Sequence, residues 1–453
     1  MSKKKIIISP VTRLSGLLSM ELIVEDKQVI EANASCTMFR GFEYIMRDRH
    51  VTDAVYMTQR VCGICSTVHG AAASYLLDKL YDNDISENAQ YIRNVMLAAD
   101  FLQNHIRHFY FFGLPDFVIM PNQPPFINQN CYDCRLNDSD NHRVASHYFD
   151  AVAVSEKCHQ ILALFGGKAP HQHSFVHGGV SVAPTADKIN KALSLIRDIR
   201  TFIEGCLMPD TELIAHCYND YYDIGITPGR FLSFGLFRFG NKNHELLWRG
   251  GVKAGSQFRN EANLDYIKED ITKAWYYRPK WSNEDTPAPY KPGAYTWNKA
   301  VLYDGLHYEG GPIVRMIING FYSGGTSTMD RIVARSIETK LIAELIEKWL
   351  KIIKIGDAPI ARKKDLAASE GISITDAMRG PLLHAVKLNG EQVDKFDIIT
   401  PTSWNFSPKD EKENRGPAEE ALVGTLIPHP DLKYVIPGRI IRSFDPCISC
   451  ATH

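Results

Sequence analysis

The stretch Arg60-Val61-Cys62-Gly63-Ile64-Cys65-Ser66-Thr67-Val68-His69 decides how this chain folds. It is read together with Asp445-Pro446-Cys447-Ile448-Ser449-Cys450-Ala451-Thr452-His453 at the far end. Each segment carries a C-x-x-C pair followed within about one helical turn by a histidine. Four thiolates in two such pairs can close a sulfur site around a soft metal. One site drawn from both would tie Cys65 to Cys447, 382 positions away, so a single domain spanning 1–453 is expected. A chain that ends on a ligand-type residue, His453, suggests a C-terminus buried at that site. The two pairs alone are equally compatible with structural zinc or a plain four-cysteine cluster.

Composition frames these segments. Lys and Arg number 51 against 52 Asp and Glu, a net charge of −1, with no basic footprint for nucleic acid and no polybasic membrane patch. Hydrophobic residues make up 45% of the 453, enough for a large core. No apolar run reaches the roughly 18–20 residues that a membrane-spanning helix needs. The opening, Met1 to Pro10, holds three lysines and then only Ile6-Ile7-Ile8, too short for a secretory apolar core. A cytoplasmic location is therefore expected, with export on a partner as the alternative. Beyond the motifs, Cys36, Cys131, Cys134, Cys158, Cys206 and Cys217 match no iron–sulfur spacing and are expected as buried or free thiols.

Residues 5–36 alternate as strands do, with a hairpin around Glu25-Asp26-Lys27. Helical periodicity covers about 52–82, 86–112, 138–165, 185–207 and 330–355, with Ser86 as a cap and Gly113 and Gly166 as stops. Gly, Tyr, Trp and Pro between 210 and 325 point to strands and long loops. Asn389-Gly390 is a two-residue hairpin turn. No repeat or linker divides the chain. The expected class is α+β, helix-dominated, with strand-rich margins.

With their flanks, Arg60-x-Cys-Gly-x-Cys-x-x-x-His69 and Asp445-Pro-Cys-x-x-Cys-x-x-His453 resemble the two signature motifs of nickel–iron hydrogenase large subunits. Thr12-Arg13-Leu14-x-Gly16, Phe39-Arg40-Gly41-Phe42-Glu43, Ala377-x-Arg379-Gly380 and Pro401-Thr402-Ser403-Trp404-Asn405 resemble further segments of that family. The resemblance runs from about residue 9 to residue 453. It implies the family's large-subunit fold around a central helical bundle, and heterolytic cleavage of H2 into two protons and two electrons. It also implies a nickel–iron centre. Cys62 and Cys447 would bind nickel terminally, while Cys65 and Cys450 would bridge to an iron carrying CO and cyanide. Thiolates suit a borderline-soft ion such as nickel. Arg379 would offset the buried negative charge, Thr402 would donate to a cyanide, and His69 would orient a bridging sulfur. Asp445 and Cys447 join Arg379 in the catalytic set, the proton going to the Cys447 sulfur or to a base formed by Arg379. Glu43 and His453 would hold a magnesium or similar divalent ion. The chain lacks cysteines for an electron relay, so an iron–sulfur small subunit is the expected partner. A larger electron-transfer complex and a maturation protease are further candidate partners.

The chain also departs from the pattern. Ser15 stands where the family usually has a proton-passing glutamate, Asn104 where it often has an aspartate near the arginine, and Met378 where a proline precedes the arginine. A serine can hold a water but cannot shuttle a proton as a carboxylate does. Ile64 and Phe112 fall where the family lines its gas channel. His105 and His108 are expected toward the centre or the core, and His171, His173 and His177 group in a Gly/Pro-rich loop for which facing a partner's cluster is the minority reading. Two other readings stay open: a hydrogen-sensing subunit with slow turnover, and a structural subunit resembling the quinone-site subunit of respiratory complex I.

Overall fold

Four capped amphipathic helices make the centre of the molecule. The structure is a computed structural model that describes residues 3–127, 131–240, 245–280, 284–362 and 364–453. Helix α1 is Ser66–Leu80, α2 Glu87–Arg107, α3 Asp138–Gly166, α4 Ala186–Phe202 and α5 Thr328–Ile352. Side-chain oxygens of Ser86, Asn137, Thr185 and Ser327 accept from otherwise orphaned N–H groups at the starts of α2 to α5. Asp330 returns the bond to Ser327 in a capping box. Gly167, with φ 80°, ends α3 one residue beyond the expected stop. Helix α2 packs on α3 and α5, α3 on α4, and α4 on α5, closing a four-helix ring.

Sheets lie at the margins. Strands β1 (Lys4–Ile8), β2 (Leu18–Glu25) and β3 (Gln28–Cys36) form an antiparallel sheet. Asp26 and Lys27 take positive φ at its tight turn, which matches the twist of the two strands. The buried face, including Met20, Leu22, Val29 and Ala32, packs with Ile440, Ile441 and Phe444 near the C-terminus. Strands β4 (Glu370–Ala377), β5 (Gly380–Asn389) and β6 (Gln392–Ile399) form the second sheet and cover α1. Its β5–β6 turn is Asn389-Gly390, as expected. Short helices follow, among them α6 (Pro401–Asn405), α7 (Val435–Ser443) and α8 (Ile448–Ala451).

Two expectations are corrected. The helix expected over 52–82 is interrupted: short turns reach Val61, Cys62 is extended (φ −148°, ψ 137°), and α1 begins only at Ser66. At this break both thiols lie against the C-terminal segment, Cys62 Sγ 3.3 Å from Cys447 Sγ and Cys65 Sγ 3.1 Å from Cys450 Sγ. The 210–325 region is not all strand and loop, because it also holds helices Met208–Cys217 (in part) and Pro312–Ile318.

Long-range contacts join the two cysteine segments. The Ile448 N–H donates to the Ser15 carbonyl (2.7 Å), beside a strand-like bridge between Ser15 and Cys447. Gly16, at φ 89°, sits so close that a Cβ there would meet the Ser449 nitrogen at 2.8 Å. The Arg40 guanidinium donates to the carbonyls of Val61, Arg60 (3.0 Å) and Ser449 (3.1 Å), clasping one motif to the other.

Candidate metal centre

Cys65 immediately precedes α1, and Cys447 immediately precedes α8, so both sit where free N–H groups favour a thiolate. All four motif thiols are buried, and their sulfurs lie within 4.8 Å of one another. Cys62 and Cys447 are 3.3 Å apart, Cys65 and Cys450 3.1 Å, and Cys447 and Cys450 3.0 Å, with no disulfide among them. Hydrogen bonds from neighbouring thiols hold Cys447 well below the ordinary thiol range. The same contacts push Cys65 well above it, and burial does so for Cys450. The protein alone thus favours one thiolate and keeps protons on its neighbours. A soft cation among the sulfurs would displace those protons and relieve the repulsion between thiolates. The donor set fits a nickel–iron centre.

Beside the sulfurs lies a ladder of paired charges. Arg379, in the tight β4–β5 turn, donates from Nε to the Asp445 carbonyl (2.8 Å), from Nη2 to Asp445 Oδ1 (3.0 Å) and from Nη1 to Asn104 Oδ1 (3.1 Å). Burial opposes its charge, but Asp445 and the thiolates outweigh this and hold its pKa above the ordinary arginine value. Asp445 is shared with Arg335 (3.2 Å), whose guanidinium also reaches His105 Nδ1 (3.2 Å). His105 Nε2 lies 2.7 Å from Glu338, Glu338 is bidentate with Arg315 (2.6 and 2.7 Å), and Arg315 reaches Asp376 (3.0 Å). Burial holds Arg335 down to about 10, against the pull of Asp445.

The remaining expected site residues fall around this core. Asn104 also donates to the Ile64 carbonyl (2.6 Å), so it spans the first motif and Arg379. Thr402 Oγ1 accepts from the Cys447 N–H (3.0 Å), which leaves its own hydroxyl proton to donate. His69 Nε2 lies 3.7 Å from Cys450 Sγ, and burial holds the ring at about 4, hence neutral. Ser15 is half-buried, with Oγ 3.3 Å from Ser449 Oγ. Ile64 is half-buried against the core, and the Phe112 carbonyl accepts from Arg13 (2.8 Å). His105 belongs to the charge ladder, whereas His108 points to the Arg442 carbonyl (2.6 Å). In the 171–177 loop the His171 N–H donates to Ser66 Oγ (3.0 Å), and His177 stacks on Tyr81 at 5.0 Å.

A second cluster brings Glu43 and His453 together. Glu43 Oε1 accepts from the Ile398 N–H (3.0 Å) and lies 3.4 Å from His453 Nε2, while His453 Nδ1 donates to the Cys450 carbonyl (2.7 Å). Burial raises the Glu43 pKa, but Lys299 and His453 prevail and hold it at about 2. Thr452 is buried and His453 half-buried. Lys299 pairs with Glu269 (3.0 Å) and Asp285 (3.3 Å) at the wall of a solvent-open cavity of about 390 Å³ that Glu43 also lines. A carboxylate and an imidazole facing one another suit a divalent cation.

Sequence reasoning missed several residues. Arg40 was read only as part of a family-like segment and Arg315, Arg335 and Glu338 were not singled out, although the run Ser327-x-x-Asp330-Arg331 carries the signal of a capped helix with charge just inside it. Asp100, one turn before Asn104, is buried; burial pushes it to about 7, only partly offset by the Gln103 amide. His384 on β5 lies 3.3 Å from His69. The expectation that Cys131 and Cys134 are free thiols is corrected, since they form a disulfide. The other four cysteines outside the motifs are free, Cys36 and Cys158 buried and Cys206 and Cys217 half-buried.

Comparison with known proteins gives a consistent result. A family model described as nickel-dependent hydrogenase matches residues 40–123, 125–325 and 320–453. The periplasmic [NiFeSe] hydrogenase large subunit of Desulfomicrobium baculatum is 32% identical, the match covering 100% of this chain and 95% of that protein. The hydrogenase-2 large chain of Escherichia coli (strain K12) is 26% identical over 99% of this chain and 97% of its own. Among solved structures, the Ni-Fe-Se hydrogenase from D. vulgaris Hildenborough superposes with a TM-score of 0.95 at 34% identity, with both chains covered in full. The D. baculatum and D. vulgaris proteins are nickel–iron–selenium hydrogenases by name, whereas the four-residue set here is all cysteine. The periplasmic relative overturns the cytoplasmic location expected from the N-terminus. The reason is that a short apolar start speaks only to a leader on this chain, not to export as part of a complex.

Proposed function

This chain belongs to the nickel-dependent hydrogenase family and is the catalytic large subunit of a hydrogenase, and we propose that Cys62, Cys65, Cys447 and Cys450 hold its nickel–iron centre. Cys62 and Cys447 would hold nickel alone, and Cys65 and Cys450 would hold it together with iron. Convergence of both pairs within 4.8 Å, beside the Arg379–Asp445 pair, carries this reading. When bound, the centre supplies the two-electron chemistry on H2.

The chain's own groups handle the proton and the charge. The Cys447 sulfur, or a base formed by Arg379, would take the proton, the two groups lying on either side of Asp445. Arg379, fixed by three hydrogen bonds, keeps a permanent positive charge against the sulfur cluster. Thr402 has a free hydroxyl proton beside the Cys447 backbone for a cyanide on iron, which also carries CO. His69 aims a ring nitrogen at Cys450, and Glu43 with His453 holds a magnesium or similar ion. Ser15 and Asn104 lie within this set but carry no ionisable group, so neither passes a proton as a carboxylate would, and the proton leaves past them through water that Arg379 helps to position.

The large-subunit relatives imply a small-subunit partner. That partner would bear the iron–sulfur clusters that take the electrons, in a periplasmic assembly, and the chain folds as one domain over 1–453. A larger electron-transfer complex and a maturation protease are further partners. Retention of all four cysteines argues against a purely structural subunit. Infrared spectra of the purified complex test the reading. Bands between the amide and C–H regions are expected, and their absence together with stoichiometric zinc would overturn it.

A further inference from the structure

Two buried histidines form a chain that ends on a cysteine sulfur. His384 on β5 is fully buried, and its ring stacks on that of His69 with centroids 5.5 Å apart and planes 20° apart. His384 Nε2 lies 3.3 Å from His69 Nδ1, and His69 Nε2 lies 3.7 Å from Cys450 Sγ. The remaining nitrogen, His384 Nδ1, is buried with no hydrogen-bond partner among the described residues. Both rings are fully buried, which favours the neutral imidazole with one N–H and one lone pair.

Only two proton arrangements make the bond between the rings. In one, His69 carries its proton on Nδ1 and donates to His384 Nε2. The His384 proton is then on Nδ1, a buried N–H with no acceptor, and the His69 lone pair faces an electron-rich sulfur. Both features are unfavourable. In the other, His384 Nε2–H donates to His69 Nδ1, and His69 Nε2–H donates to Cys450 Sγ. The group left over is then a lone pair, which demands less than an orphaned donor. We propose that His384 is a positioning residue that fixes His69 in the Nε2–H tautomer and so supplies an N–H hydrogen bond to the Cys450 sulfur. The consequence for the centre, and the electron-rich character of the sulfur, rest on the reading above that Cys450 is a metal ligand; the cost of an orphaned N–H on His384 does not. An N–H on a ligating sulfur draws density from it and tunes the metal, as outer partners do at other metal sites.

The test uses the assembled enzyme with 15N-labelled histidine. In the unaltered protein, the 15N resonances of His69, assigned by difference against His69→Gln, report which ring nitrogen carries hydrogen. Protonated Nε2 is expected, and protonated Nδ1 overturns the proposal. Pulsed electron paramagnetic resonance of the nickel signal then reads the nitrogen coupling transmitted through sulfur. His384→Phe keeps the volume but removes the donor, and should reduce that coupling at least twofold. His384→Gln can still donate and should restore most of it. Equal coupling in the parent and in His384→Phe, or equal loss in both variants, would show that His384 only packs. Metal analysis of each sample reports separately on the nickel–iron reading, so loss of the centre is not mistaken for loss of the tautomer.

Discussion

The sulfur cluster and the arginine ladder meet at Asp445 and Cys447, yet they are built in opposite ways. Along the ladder opposite charges alternate: Arg379, Asp445, Arg335, then Glu338, Arg315 and Asp376, with neutral His105 between. Each buried charge has a partner within hydrogen-bonding distance. The sulfur cluster instead crowds four groups of the same kind within 4.8 Å. Left to itself it favours one thiolate and two high-pKa neighbours. The ladder is complete in itself, while the cluster is complete only with a metal. A protein keeps an unbalanced buried cluster where binding a cation balances it, and it surrounds the cluster with a rigid, neutralised frame.

Breaking the ladder should show first as lost stability. Glu338→Gln leaves buried Arg315 without its bidentate partner, and a loss of roughly 3–5 kcal/mol is expected. Chemical denaturation of the assembled enzyme would measure it. A loss below about 1 kcal/mol would mean that the ladder is not a structural frame.

Arg379→Lys acts where the two regions touch. Lysine keeps a charge but cannot reproduce the three hydrogen bonds to Asp445 and Asn104. H2 oxidation should fall about 10²-fold or more, in the range of lost proton-transfer assistance. Nickel and iron content should be unchanged. A variant with near-parental turnover would remove Arg379 from the proton path.

Asp100 sharpens the comparison because it is a buried carboxyl outside the ladder. Its Oδ2 has no partner among the described residues, and burial raises its pKa from 3.8 to about 7. A raised acid pKa stabilises the fold below the ordinary value, and that contribution is lost as pH rises toward 7. Asp100→Asn, which cannot ionise, should therefore gain on the parent as pH rises. The gain between about pH 5 and about pH 6.5 should be roughly 2 kcal/mol. Unfolding curves at the two pH values check this, and a difference independent of pH would contradict it.

Ser15→Ala should have the smallest effect. Ser15 touches Ser449 through a long 3.3 Å contact and binds the second motif mainly through its backbone carbonyl. With the proton path organised by Arg379 rather than by Ser15, turnover should fall no more than a few-fold. A drop of about 10²-fold in H/D exchange would instead mark a Ser15-bound water as the relay.

The two regions also differ in how far they could be read from sequence. The cysteine pairs were legible because their chemistry is carried by rare residue types at short spacing, with histidines a turn away. Asn389-Gly390 and the caps at Ser86 and Ser327 were legible for the same local reason, although only Ser86 was picked out. The ladder was legible only in part: Arg379 and Asp445 came with the family resemblance and His105 was placed toward the centre or the core, but Arg315, Arg335, Glu338 and Asp376 were not found. His105 and Glu338 lie 233 residues apart on different helices, and nothing local pairs them. A charged residue on a helix reads as a solvated face until packing shows otherwise. The break between Val61 and Ser66 was missed because the periodicity on both sides is helical, and only the need to bring Cys62 toward Cys447 interrupts it. Location was misread because export can depend on a partner that this sequence does not contain.

The central claim is that the four thiols form a metal site and the ladder does not. Metal analysis of the purified complex, beside its Cys450→Ala variant, tests this most directly. After allowance for iron in the partner subunit, the parent should hold nickel and iron near one each at this site and no zinc. The variant should lose both metals while the ladder keeps the chain folded. Nickel and iron retained in full by Cys450→Ala, or stoichiometric zinc in the parent, would contradict the account.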